Sequence, residues 1–194
     1  MASRRFSQAI AEGDGISVLV AVEGPEAART AEKEGAEALV VGTAAAAVRD
    51  ATELPLLWRG QGPLSDAVGA GADAWILRVE DYEDDTDRLV AVHREALDFG
   101  LDCVVQVRNE NELELALEQL DPEIFLLTGD GDDGDPLAPA LELLPDVPAG
   151  KLAVADVEIA QRTHIDELER AGVDAVIVGA GNIADLVGDA PPEV

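Results

Sequence analysis

Short apolar runs rich in Val, Leu and Ile recur at regular intervals, and polar segments of helical period separate them. The runs predict strands at 16–22, 37–42, 54–59, 73–79, 102–108, 123–128, 151–156 and 174–179. Between them lie PEAARTAEKEG, AAAAVRDAT, LSDAVGAG, DDTDRLVAVHREALDFG, NENELELALEQL, PLAPALELL and IAQRTHIDELERAG, with NIADLVG after the last run. Each reads as a helix. Strand and helix therefore alternate down the whole chain, the pattern of a parallel sheet covered by helices.

Local punctuation supports this register. Gly35, Gly71, Gly100 and Gly172 stand where helices end, and a new strand begins within a few residues. Asp84 and Asn109 stand near helix starts, where a side-chain oxygen can accept from otherwise unpaired backbone N–H groups. The phrase GADA at 71–74 returns as GVDA at 172–175 and suggests a repeated unit. Eight strands, each followed by a helix, predict an α/β fold of the (βα)8 TIM-barrel type. An open doubly wound sheet is the competitor, but it usually carries a Gly-rich fingerprint after its first strand, and only GPEA stands there. The expected organisation is a single compact barrel domain over 1–194, with a lead-in at 1–14 and a tail at 188–194. At 194 residues the chain is short beside the roughly 250 of a typical barrel, so its loops must be trimmed.

Charge adds a strong constraint. Forty-one Asp and Glu against 13 Lys and Arg give a formal net charge of -28, while apolar residues make up 47% of the chain and aromatics 3%. Such apolar content excludes a disordered acidic chain, so the charge belongs on the surface of a folded body. Lys33 and Lys151 are the only lysines. This combination resembles a salt-adapted protein of a halophile, whose self-repulsion salt would screen. It argues against nucleic-acid and anionic-membrane partners. The start, MASRRFSQAIAEG, lacks an apolar stretch of signal-peptide length, and no run is long enough to span a bilayer, so a cytoplasmic protein is expected. The single cysteine, Cys103, excludes an internal disulfide and reads as a small buried hydrophobe.

With the strands placed, FSQAIAEGDGISVLVAVE, EGAEALVV, LPLLWRG, AGADAWILRV, GLDCVVQVRNENELELAL and AGVDAVIVG follow one another in an order that resembles the indole-3-glycerol-phosphate synthase family. The resemblance runs from Phe6 to about Val187, and GLDCVVQVRNENELELAL is its most specific segment. The insertion that normally follows strand two is missing, leaving TAAAAVRDATE. The family closes an indole ring on a carboxyphenylamino deoxyribulose phosphate, with loss of carbon dioxide and water. A strand-three lysine is its general acid, a strand-five glutamate serves proton transfers, and a strand-one lysine with a neighbouring glutamate holds the substrate.

Residue by residue, the resemblance implies a changed site. The strand-one Glu-Val-Lys becomes Ala21-Val22-Glu23, which reverses a charge, and the Ser-Pro-Ser stretch after it is not recognisable. The general-acid lysine becomes Arg59, and an arginine holds its proton too tightly to serve as an acid near neutrality. Gln106 replaces the glutamate, and Thr128-Gly129 stand where strand six has asparagines. Ala155-Asp156-Val157-Glu158 replace Ser-Glu-Ser-Gly, so Asp156 alone keeps a carboxylate in place. Gly179 survives, and Ala180-Gly181-Asn182 open the last helix, where backbone N–H groups remain suited to an anion. Asp156, Arg59 and Gln106 are thus the degenerate catalytic positions, and the family reaction is expected to be lost.

Arg59, Arg78 and Arg108 end three consecutive strands at the face where barrels carry chemistry. With Gly179, Gly181 and Asn182 they form a candidate cradle for a carboxylate or phosphate. The competing reading pairs them with Glu80, Asp81, Glu110 and Asp130 as structural ion pairs. GDGDDGD at 129–135 departs from a calcium-loop pattern at Gly134 and Asp135 and reads as a solvated loop. His93 and His164 fall on outer helices, Lys33 on the first helix and Lys151 at the opposite face, so no metal cluster and no Schiff-base lysine is expected. No cofactor is implied. Three functions stay open: a non-catalytic binder of a small anionic ligand, an enzyme rebuilt around Asp156, and a retained role in tryptophan synthesis. Ligand identity, a protein partner and any homo-oligomer are not specified by these residues.

Overall fold

The computed structural model describes residues 4–12, 15–129, 135–181, 183 and 186. Eight parallel strands close into a barrel in chain order: β1 (Ser17–Val22), β2 (Ala38–Val41), β3 (Leu56–Trp58), β4 (Ala74–Arg78), β5 (Asp102–Val107), β6 (Ile124–Leu127), β7 (Leu152–Ala155) and β8 (Ala175–Gly179). Every one lies inside a run predicted from the apolar pattern. Seven helices follow β1 to β7: α2 (Pro25–Lys33), α3 (Ala45–Arg49), α4 (Leu64–Gly69), α5 (Thr86–Asp98), α6 (Glu110–Gln119), α7 (Ala138–Leu143) and α8 (Arg162–Ala171). Of the helix expected after β8, Ile183 and Leu186 alone are described, both helical and buried, and most of the acidic loop at 129–135 lies outside the described residues. None of the described helices is long and apolar enough to cross a membrane.

An eighth helix, α1 (Arg5–Ala11), precedes β1 within what reads as lead-in. Its Phe6 is fully buried and Ile10 nearly so, and both pack with Leu19, Val40, Leu57, Val104, Leu126 and Ile177 inside the barrel. The helix closes one end of the barrel with apolar surface. Outward-facing Val20, Leu39, Leu56, Leu77 and Val105 belong to a second cluster shared with the surrounding helices. Strands buried on both faces explain why the apolar runs are continuous rather than alternating.

The repeated phrase has a structural reason. Asp174 donates its backbone N–H to the Ala153 carbonyl at 2.9 Å, and its carboxylate accepts the Ala153 N–H at 2.7 Å. Asp73 grips Leu56 through the same two bonds, both at 2.9 Å, and Glu37 grips Val18 through bonds of 3.1 Å. An acid just before β2, β4 and β8 thus clamps the entry of the strand before it. Asp73 additionally receives Arg49 at 3.1 Å and Arg5 at 3.3 Å, tying α1 and α3 to the sheet.

The expected helix ends are present. Gly172 ends α8 at φ 101°, a left-handed conformation in which its N–H reaches the Leu168 and Glu169 carbonyls. Asn109 accepts from the Glu112 N–H at the start of α6. At α5 the capping side chain is Asp85, one residue beyond the expected Asp84, and it accepts from the Arg88 N–H.

Candidate functional site at the barrel mouth

The interior register carries particular side chains to the C-terminal rim. Ala21 of β1 lies level with Gly179 of β8 and Val40 of β2, so Glu23, two residues on, has inward parity above them. Arg59 follows β3 with the parity of inward Leu57. Arg78 and Gln106 are register partners on β4 and β5. Asp156 directly follows β7 with the parity of inward Val154.

Arg59 Nη2 meets Asp156 Oδ2 at 2.7 Å, with the two side chains 34% and 29% exposed. β3 and β7 are four strands apart in an eight-stranded ring, so this ion pair crosses the mouth from side to side. Gln106 Nε2 points instead toward Thr128 Oγ1 of the neighbouring segment, at 3.4 Å. Arg78 Nη2 lies 3.4 Å from the Arg59 carbonyl. No carboxylate partner of Arg78 is found among the described residues.

Arg108 has a different fate from the other two arginines. Its Nη2 bonds Glu112 at 2.6 Å and its Nε bonds the same oxygen at 2.9 Å, while Glu80 and Glu83 approach the same guanidinium. The Glu112 carboxylate, 2% exposed, also receives the Arg108 N–H at 2.8 Å and Asn109 Nδ2 at 3.1 Å. Hydrogen bonding to Glu112, followed by the fields of the three acids, raises the Arg108 pKa above its usual value. Glu80 was a foreseen partner, whereas Glu83 and Glu112 were not. The Asn109-to-Glu112 spacing, that of a capping box, is the signal that could have identified Glu112. Of the three arginines, two meet at the mouth and the third fastens the rim to α6.

A cavity of about 540 Å³ opens beside the ion pair, between the ends of β1, β2, β3 and β8. Glu23 and Arg59 are its charged lining side chains among the described residues, and Ala21, Val40 and the backbone at Gly179 and Ala180 contribute to its walls. A side chain added at Gly179 or Gly181 would meet nothing within 4 Å, so the glycines leave this rim open. Asn182 lies outside the described residues. A second cavity of about 410 Å³ lies by Gly60, Gln61 and Gly62 and includes Arg78, Glu80 and Tyr82.

Other reactive side chains stand away from the mouth. Cys103 is buried, and burial first, then the nearby Asp102, raises its thiol pKa far beyond the ordinary range, which keeps it a thiol. His93 is half-buried on α5, and desolvation lowers its pKa. His164 lies on α8 beside Gln161, and Lys151 bonds Asp121 at 2.6 Å at the start of β7. Among the described residues no three His, Cys, Asp or Glu side chains gather as a metal site.

A model of the indole-3-glycerol phosphate synthase family matches residues 61–185. An indole-3-glycerol phosphate synthase of Geobacillus sp. (strain WCH70) is 30% identical over 140 residues, covering 68% of this chain and 53% of its own length. Its namesake in Endomicrobium trichonymphae is 33% identical over 132 residues, covering 62% of this chain and 48% of the relative. The chain spans about half the length of the relatives it matches. Among solved structures, an N-acetylmannosamine-6-phosphate 2-epimerase from Clostridium perfringens superposes with a TM-score of 0.71 at 11% identity, covering 84% of this chain and 86% of that one. That likeness is one of fold alone.

Proposed function

The chain belongs to the indole-3-glycerol phosphate synthase family, and from that premise we propose that its mouth binds a small carboxylate- or phosphate-bearing molecule without performing the ring closure. The observation that carries this reading is the Arg59–Asp156 ion pair. It joins the carboxylate retained on the seventh strand to an arginine, a residue type unsuited to releasing a proton near neutrality. Gln106 can hydrogen-bond but cannot take up a proton, and Glu23 stands where the resemblance places a substrate-holding lysine. General acid–base groups contribute roughly 100- to 10,000-fold each, so replacing several of them removes most of the acceleration.

Binding requires less. Arg59 offers a fork of donors to a planar or tetrahedral anion, and the open backbone at Gly179 and Ala180 borders the same cavity. The proposed setting is the cytoplasm, where phosphorylated and carboxylated metabolites are available.

The test pairs turnover with protection. The purified chain, supplied with the carboxyphenylamino deoxyribulose phosphate, is expected to produce no indole fluorescence, while phosphate or small carboxylates raise its melting temperature saturably. Arg59→Ala should abolish that protection. Brisk formation of the indole product would establish a retained synthase instead, and anion protection unchanged in Arg59→Ala would remove the assigned site.

A further inference from the structure

The cavity beside the ion pair carries a second charge that simple anion binding does not use. Glu23 is exposed, follows β1 at an inward position and lines the same 540 Å³ space as Arg59. Resting on the reading of the mouth as an anion site, we infer that the ligand is a small zwitterion, with an ammonium group for Glu23 and a carboxylate for Arg59.

Three observations on the site lead there. First, the lining charges among the described residues are one carboxylate and one guanidinium, and that guanidinium already faces Asp156 at 2.7 Å. A bare anion entering this space would add negative charge beside Glu23 and Asp156, with Arg59 the one guanidinium among the described residues that line it. A ligand of zero net charge avoids that excess. Second, the two charged residues come from separate strand ends, which suits two ends of one molecule. Glu23 follows β1 and Arg59 follows β3, with β2 between them, so the two strand ends stand about 10 Å apart before the side chains reach inward. Ala21 and Val40 line the interval and match a short apolar linker. Third, the chain carries a net charge of -28, and its field opposes the approach of anions while leaving a neutral zwitterion unaffected to first order.

Glu23 is therefore a specificity-determining residue for the bound molecule. It selects against plain carboxylates by repulsion and for amino-bearing ones by a charge-assisted hydrogen bond.

The experiment is calorimetric titration of the full chain with ω-amino acids of roughly three to six carbons, a length chosen from the strand spacing, and with the matched alkanoates and alkylammonium ions. The best amino acid should bind about tenfold or more tightly than its alkanoate, as expected for one charge-assisted hydrogen bond. Glu23→Gln, an exposed and near-isosteric change, should bring the two within a few-fold of each other. Alkanoates that bind as tightly as the amino acids would overturn this inference and leave the anion-binding reading standing. A preference for the amino acid that persists in Glu23→Gln would overturn the role of Glu23. Alkylammonium ions that bind as well as the amino acids, or no binding by any probe, would overturn both readings.

Discussion

Arg59 after the third strand and Asp156 after the seventh meet at 2.7 Å, a single ion pair that spans the barrel mouth and occupies the guanidinium a ligand would need. Each side chain is about one-third exposed, so the pair contributes little to folding, on the order of 1 kcal/mol or less. Asp156→Asn is expected to leave the melting temperature almost unchanged while strengthening carboxylate binding several-fold, because the internal competitor for Arg59 is gone. Titration of both proteins with the same carboxylate checks this. Weaker binding in the variant would show that Asp156 orients Arg59 rather than competing for it.

Asp174 offers a separate test through pH. Burial raises its pKa above the ordinary carboxylate value, against a smaller opposing effect of the Ala153 N–H. A carboxyl that holds its proton more tightly when folded disfavours the folded state progressively as pH rises above its unfolded pKa. Asp174→Asn keeps an acceptor oxygen for Ala153 and removes the charge. Its melting temperature should equal or exceed the parent's at pH 7, with the advantage shrinking toward pH 4. Asp174→Ala strands the Ala153 N–H and should cost about 1–3 kcal/mol by denaturant titration.

The fully buried Phe6 tests the role of the first helix. Phe6→Ala would open a cavity at the closed end of the barrel, with an expected loss of about 3–5 kcal/mol. Chemical denaturation measures it, and a loss below about 1 kcal/mol would mean that α1 does not close the core.

Salt should act on the whole molecule. With 41 acidic and 13 basic side chains, self-repulsion opposes compaction, and raising KCl from low to about 1 M shortens its range to about 3 Å. The melting temperature should climb over that range. A flat thermal profile would remove the salt-adapted reading.

Much of this architecture is determined by local sequence. Continuous Val, Leu and Ile runs such as ISVLVAV and DAVIVG specify strands buried on both faces, and Gly35, Gly71, Gly100 and Gly172 mark helix ends, because periodicity and backbone freedom are properties of neighbouring residues. The register of Arg59, Arg78 and Arg108 at strand ends was legible for the same reason. Their partners were not. Whether Arg59 meets Asp156, 97 residues away, or Arg108 turns to Glu112, four residues away, depends on barrel closure and on which acid each long side chain reaches first. The double clamp of Asp73 and Asp174 and the seating of Phe6 under the barrel likewise join segments distant in sequence. Only the closed sheet brings them together, since contact across a barrel is set by strand order and register rather than by any local pattern.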